Sequence, residues 1–168
     1  IGASKGVAKE IGTEEYVKQI RALVRELEGR KLVEGLSPER YANALWASRR
    51  IHQLGGFAIL AHPYWTAGKF FNLDRRVYEQ VFRDRLCDAV ELLGDVLPED
   101  NLLSVARHQD ALERGEAFPI VGNSDTHSAD HTLGKLYTIA FAEGLSWDAL
   151  KDAIRDGCSV ACVRPEGC

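Results

Sequence analysis

Several features that mark other protein classes are missing from this 168-residue sequence. No apolar run approaches the roughly 20 residues that a membrane helix needs, so we expect no membrane partner. No GxGxxG or GxxxxGK(S/T) stretch occurs, which argues against a doubly wound nucleotide-binding domain. Methionine is absent, even at position 1. Either the chain is a piece of a longer protein, or modified methionines are not written in the sequence.

The net charge and the cysteine pattern restrict the binding partners and the cellular compartment that we expect for this protein. Lysine and arginine number 21 against 25 acidic residues, which gives a net charge of −4 and a pI near 5.8. A protein without a basic face gains little from counterion release, so we expect no long nucleic acid as a partner. A small phosphorylated substrate remains compatible with this charge. The four cysteines form no CxxC or zinc-ribbon pattern, so we expect buried thiols in a reduced, cytoplasmic protein.

The order of helix and strand patterns predicts an α/β fold preceded by two helices. Residues 1–55 carry two helical patterns, the first with Thr13 as its N-cap, the second with Ser37 as its cap and Pro38 at its first position. Residues 56–168 alternate between strand and helix patterns, with strands expected at 57–61, 88–93, 118–121, 136–142 and 158–163. The wholly apolar first strand is expected to be buried on both faces. Strands that are connected through helices imply a mainly parallel sheet. Because a full (β/α)8 barrel needs about 250 residues, we expect this shorter chain to form an open sheet or part of a barrel.

Chemically active side chains lie in or directly after three of these strands. In a parallel α/β fold the functional site collects at the C-terminal ends of the strands. His62 follows the first strand and Glu91 lies in the second, while Asp125 and His127 follow the third. Two histidines and an aspartate form an open ligand set for zinc, manganese or iron. The sequence therefore predicts a metal site at this edge of the sheet.

Each of these residues also has a structural interpretation. Asp125 can shape an Asx turn, and a histidine can be buried or cap a loop. A carboxylate such as Glu91 in a buried strand is costly unless it is paired, which is compatible with a role at the rim. Pro63 is expected to bias His62 toward an extended backbone. Asp125 and His127 can reach one centre if their stretch is also extended.

Three segments resemble the later motifs of the polymerase and histidinol phosphatase (PHP) domain family: GGFAILAHPYW, DAVELLG and FPIVGNSDTHSADHTLGK. The resemblance implies a distorted (β/α)7 barrel that holds two or three divalent metal ions, which activate water against a phosphoester. By this match His62, Asp125 and His127 are metal ligands, and Glu91 occupies an acidic position of the family. We expect His131 to protonate the leaving group, the alternative being an ordinary surface position.

The early motifs of the PHP family are missing from the sequence. The family's first strand carries a His-x-His, and none occurs in these 168 residues. We therefore expect the C-terminal part of a PHP-type enzyme, in which residues 1–55 lead into the domain and residues 56–168 form the later part of its barrel. Such an enzyme hydrolyses a small phosphate ester or nucleotide by metal-activated water. The alternative is a catalytically inactive relative that has lost half its site and acts as a structural or interaction module.

Overall fold

The computed structural model of the chain describes residues 11–65, 74–95, 98–128 and 133–164. His131, the expected catalytic acid, lies outside the described residues. The described residues form five helices, α1 (Thr13–Leu27), α2 (Pro38–Gln53), α3 (Arg75–Arg83), α4 (Pro98–Glu113) and α5 (Trp147–Arg155). They also form five strands, β1 (Ile59–Leu60), β2 (Ala89–Gly94), β3 (Ile120–Asn123), β4 (Leu136–Ala140) and β5 (Ser159–Val163). None of the helices in these segments has the length and apolar character that a membrane crossing requires.

The described residues fall into two compact units. The first contains the described residues up to Ala58 together with residues 74–87, and so includes α1, α2 and α3. The second contains residues 59–65 and the described residues from Asp88 onward, and so includes all five strands, α4 and α5. The four predicted metal ligands therefore all belong to the second unit.

The first unit is organised around the carboxylate of Asp84, which follows α3. Tyr41 in α2 is fully buried, and its hydroxyl donates a hydrogen bond to this carboxylate. The other carboxylate oxygen accepts from Arg30 at 2.5 Å and from Gln80 at 3.1 Å. Gln80 in turn accepts the backbone N–H of Val33 at 2.8 Å. Because these polar groups form hydrogen bonds with one another, the network fixes the segment between α1 and α2 against α3.

The helix starts agree only in part with the expected caps. The second helix begins at Pro38 as predicted, with Ser37 in the cap position, but the Ser37 side chain forms no capping hydrogen bond. Thr13 is not an N-cap, because it is the first residue of α1 and a glycine occupies the cap position. Ser146 does cap α5, since its hydroxyl accepts the N–H of Ala149 at 3.1 Å.

The first three strands form a parallel sheet in the order β1–β2–β3. Their C-terminal ends therefore meet at one edge of the sheet, as the sequence predicts. The expectation that the first strand is buried on both faces is wrong. Leu60 is buried, but Ile59 is 47% exposed, because β1 is the edge strand of this sheet within the described residues.

The last two strands pair antiparallel with each other and form a separate ribbon, the β4–β5 ribbon. The expected extension of the parallel sheet to these strands is therefore wrong. Together the described strands do not close into a barrel. The chain is a mixed α/β fold with a small parallel sheet.

Hydroxyl groups of the β4–β5 ribbon satisfy the free edge of β3. The Thr138 hydroxyl accepts the N–H of Gly122 at 2.9 Å and donates to the carbonyl of the same residue at 2.9 Å. Ser159 donates to the carbonyl of Ile120 at 2.7 Å. Ile120 and Gly122 are two residues apart, so their backbone groups face the same side of the strand. Two side chains thus replace a neighbouring strand at this edge.

Replacing Thr138 with valine should lower the free energy of unfolding by about 1–3 kcal/mol, because Gly122 would lose the partner of its N–H and its carbonyl. Valine keeps the shape of threonine, so the change isolates the hydroxyl. Urea denaturation followed by circular dichroism measures the difference. Thr13→Val is the matched control and should change stability by less than about 0.5 kcal/mol, since Thr13 is exposed and forms no capping bond. Equal stability of Thr138→Val and the unsubstituted chain would contradict this account.

The cysteines of the second unit are more exposed than expected. Cys162 in β5 is half-buried, but Cys158 is exposed, so the expectation of a buried thiol is wrong for Cys158. The reason is that β5 begins only at Ser159, which leaves Cys158 ahead of the strand rather than within it.

Candidate metal centre

The parallel sheet brings the predicted site residues to one edge. His62 lies two residues beyond the end of β1, and Asp125 lies two residues beyond the end of β3. Glu91 lies on β2, the strand between them. The loop after β1 and the loop after β3 therefore flank the Glu91 strand on either side.

Glu91 connects these two loops through its carboxylate. The side chain is 2% exposed. One oxygen, Oε1, accepts the backbone N–H of His62 at 3.1 Å, and the other, Oε2, accepts the side-chain amide of Asn123 at 3.0 Å. Gly94 leaves room for this arrangement, because a Cβ on Gly94 would lie 2.1 Å from Oε1. The Glu91 carboxylate can therefore occupy this position only because residue 94 has no side chain.

The environment of Glu91 opposes its negative charge. Burial raises the pKa of the Glu91 carboxyl, and the nearby Asp125 charge acts in the same direction. The hydrogen bonds from Asn123 and from the His62 backbone, together with the charge of the His62 imidazole, act against this rise without cancelling it. No lysine or arginine in the described part of the chain forms an ion pair with Glu91. A buried carboxylate without a lysine or arginine partner is a position at which a bound cation would lower the free energy.

His62 has a left-handed backbone, with φ of +30°. The expectation that Pro63 holds it extended is wrong. A turn begins at His62, since the N–H of Trp65 donates to the His62 carbonyl at 3.1 Å with Pro63 at the second turn position. This backbone also directs the His62 N–H toward Glu91.

The His62 ring lies against Trp65 in an edge-to-face contact, with the ring centroids 5.1 Å apart. The Nδ1 atom of His62 is buried and has no hydrogen-bond partner among the described residues. Buried polar atoms normally have partners, so this nitrogen is a group that a ligand could satisfy. The aromatic contact and the orphaned nitrogen together favour a fixed imidazole over a solvated one.

Asp125 also has a left-handed backbone, with φ of +46°, so the condition that its stretch be extended is not met at this residue. The cause is an Asx turn formed by Asn123, whose Oδ1 accepts the Asp125 N–H at 3.2 Å. Asp125 Oδ1 lies 3.6 Å from His127 Nε2. The His127 side chain is 90% exposed, so its ring can turn without losing packing.

The geometry therefore contains two pairs rather than one cluster. The backbone N–H of His62 is bonded to the Glu91 carboxylate, and the Asp125 carboxylate is close to the His127 ring. Within residues 11–65, 74–95, 98–128 and 133–164, no three histidine, cysteine, aspartate or glutamate side chains are close enough together to hold a metal ion. Asn123 is hydrogen-bonded to Glu91 of one pair and to Asp125 of the other. Sequence patterns do not identify Asn123 or Gly94 as residues of the site.

Lys135 forms an ion pair close to the end of β2. Its ammonium group is 3.0 Å from a carboxylate oxygen of Asp95, the residue that follows β2. Among the described residues, Lys135 is the lysine or arginine nearest in sequence to Asp125, and its charge is paired with Asp95.

A scan against models of protein families finds no match to the chain, and a search of curated proteins finds none either. Among solved structures, a two-domain protein from Bacteroides vulgatus ATCC 8482 containing a predicted PHP-like metal-dependent phosphoesterase matches with a TM-score of 0.48 and 18% sequence identity. The match covers 70% of this chain and 34% of that protein. At this identity and TM-score the likeness carries no argument about site residues or reaction.

Proposed function

We propose that the chain contributes a divalent-cation site to a PHP-type metal-dependent phosphoesterase, in which His62, Glu91, Asp125 and His127 hold the cation. The observation that carries the proposal is the Glu91 carboxylate. It is 2% exposed, it accepts hydrogen bonds from His62 and Asn123 at the ends of the two flanking strands, and no lysine or arginine of the described residues pairs with it. A cation at this edge would offset the cost of the buried charge.

The donor atoms present fit such a cation. The buried Nδ1 of His62 is without a partner among the described residues, and the Asp125 carboxylate and the His127 imidazole are 3.6 Å apart. Imidazole and carboxylate donors suit zinc, manganese and iron. Rotation of the exposed His127 ring is the movement that requires the least change in packing.

The proposed substrate is a small phosphate ester or nucleotide. When bound, a divalent cation in a phosphoesterase supplies Lewis-acid activation of water and neutralises phosphoryl charge. The chain's own residues hold this site in place: Glu91 fixes the two loops against each other, and Trp65 fixes the His62 ring. The net charge of −4 favours a small anionic substrate over long nucleic acid.

Replacing His62 or Asp125 with alanine should weaken Mn²⁺ binding by more than about 10-fold, since even residues that only support ligands change metal affinity by 10–100-fold. Isothermal titration of Mn²⁺ into the chain measures the affinity. Hydrolysis of p-nitrophenyl phosphate in Mn²⁺ should fall in the same variants. His52→Ala is the matched control, because His52 is an exposed histidine of α2 in the first unit.

Two results would overturn the proposal. One is unchanged Mn²⁺ affinity in both variants. The other is an unsubstituted chain that binds no Mn²⁺ at all. A loss of affinity in His52→Ala equal to that in His62→Ala would also count against it, because the effect would then be general rather than local.

A second candidate function is a non-catalytic interaction module of the PHP type. It is favoured by the outward face of the β4–β5 ribbon, where Tyr137, Ile139 and Val160 are 41%, 43% and 44% exposed. The lack of a three-ligand group among the described residues points in the same direction. This candidate predicts no Mn²⁺ binding by the unsubstituted chain, so the same titration separates the two functions.

A further inference from the structure

We infer that Asn123 is a positioning residue that sets the geometry of Glu91 and Asp125 together, an inference that rests on the proposed cation site. Its side-chain NH₂ group donates to Glu91 Oε2 at 3.0 Å. Its Oδ1 accepts the backbone N–H of Asp125 at 3.2 Å. Asn123 is the last residue of β3, whereas Glu91 lies on β2, so one side chain connects the contributions of two strands.

The amide group is the feature that suits Asn123 to this position. An ionised carboxylate only accepts hydrogen bonds, so Glu91 needs a donor, and the Asp125 N–H needs an acceptor. A side-chain amide supplies both from one planar group. Aspartate at this position would keep the acceptor but place a second negative charge beside Glu91, and alanine would supply neither group.

The backbone of Asp125 gives the second part of the inference. Its φ of +46° is in the left-handed region, which residues other than glycine adopt rarely. The Asx turn of Asn123 holds the backbone there, because its Oδ1 fixes the Asp125 N–H. The direction of the Asp125 carboxylate, and its 3.6 Å approach to His127, therefore depend on Asn123.

These contacts link the loop after β1 to the loop after β3. The His62 N–H is bonded to Glu91, Glu91 is bonded to Asn123, and Asn123 is bonded to the Asp125 N–H. A change at Asn123 should therefore reach His62, although His62 is bonded to Glu91 rather than to Asn123. A merely local role for Asn123 would leave the His62 N–H unchanged.

The test uses Asn123→Ala in the metal-free chain, with the backbone amide signals of His62 and Asp125 read by ¹H–¹⁵N NMR. We expect both signals to move. In Mn²⁺ titrations the same variant should bind about 10-fold more weakly or worse. Asn43→Ala is the matched control, because Asn43 bonds to Tyr16 within the first unit; it should move neither signal and leave the affinity unchanged.

A second variant keeps the test decisive if alanine prevents folding. Asn123→Asp retains the acceptor for the Asp125 N–H, so the His62 signal should move more than the Asp125 signal. An unmoved His62 signal in the folded variant overturns the inference. So does unchanged Mn²⁺ affinity in Asn123→Ala when the unsubstituted chain binds Mn²⁺, and that result leaves the cation site standing. If the unsubstituted chain binds no Mn²⁺, the proposed function fails and the two amide signals alone decide the inference.

Discussion

Gly122→Ala is expected to destabilise the second unit by about 3 kcal/mol or more, at the upper end of what overpacking costs. A Cβ on Gly122 would lie 2.6 Å from the Tyr137 carbonyl oxygen, 3.2 Å from the Cys162 nitrogen and 3.3 Å from the Ala161 Cα. All three atoms belong to the backbone of the β4–β5 ribbon, so no side-chain rotation relieves the clash. The ribbon would have to move away from β3 and would strain the Thr138 hydrogen bonds.

Gly144→Ala is the matched control for this prediction. A Cβ on Gly144 would meet nothing within 4 Å, so the free energy of unfolding of Gly144→Ala should differ from that of the unsubstituted chain by less than about 0.5 kcal/mol. Urea denaturation of both variants gives the comparison. If Gly122→Ala were as stable as Gly144→Ala, the ribbon would not be held closely against β3 as described.

The sequence was sufficient to predict the position of the strands and the edge that carries the site. Each of the five strand patterns overlaps an observed strand, because short apolar runs bounded by turn residues mark buried strands well. The parallel direction of β1, β2 and β3 follows from the helical patterns between them. These two facts place His62, Glu91 and Asp125 at one edge.

The direction of the last two strands could not be predicted in the same way. The sequence shows a strand, a helix and a strand in this region, as it does earlier, yet β4 and β5 pair antiparallel. In the folded unit Thr138 and Ser159 of these strands bond to the edge of β3, and such contacts arise only on folding. Hydrophobic periodicity contains no information about such contacts.

The fine geometry of the candidate site was also beyond sequence patterns. The preference of a residue before proline predicts an extended backbone at His62, and the structure has positive φ there and at Asp125. The turn at Pro63 and the Asx turn of Asn123 accompany these two conformations. The Asn-Ser-Asp order is compatible with an Asx turn, but the partner of the Asn123 amide is on another strand, which no local pattern shows.

Glu91→Gln should weaken Mn²⁺ binding by about 100-fold or more, and it should remove the fall in stability that the metal-free chain shows as the pH rises. Burial raises the pKa of Glu91 above its ordinary value of 4.5, so the folded state holds the Glu91 proton more tightly than the unfolded state does. Stability therefore falls as pH rises from 4.5 through the raised pKa. Glutamine has no proton to lose, so its stability relative to glutamate should increase over that range.

The two effects have opposite signs because they depend on the same buried charge. At acid pH the neutral carboxyl can still accept through both oxygens, whereas the glutamine amide places an NH₂ group against either the His62 N–H or the Asn123 amide, so Glu91→Gln should be the less stable chain there. At higher pH the buried carboxylate is ionised without a lysine or arginine partner among the described residues, and this costs stability unless a cation is bound. Glutamine removes that cost together with the charge that attracts the cation.

Urea unfolding in the presence of EDTA, at about pH 5 and about pH 8, measures the first effect, and Mn²⁺ titration measures the second. Glu143→Gln is the matched control, since Glu143 is exposed; it should change stability by less than about 0.5 kcal/mol and leave the Mn²⁺ affinity unchanged. Parallel pH dependence in Glu91→Gln and the unsubstituted chain would show that Glu91 is not held in a charge-opposing environment. Mn²⁺ affinity retained in Glu91→Gln would show that the buried carboxylate has no part in holding the cation.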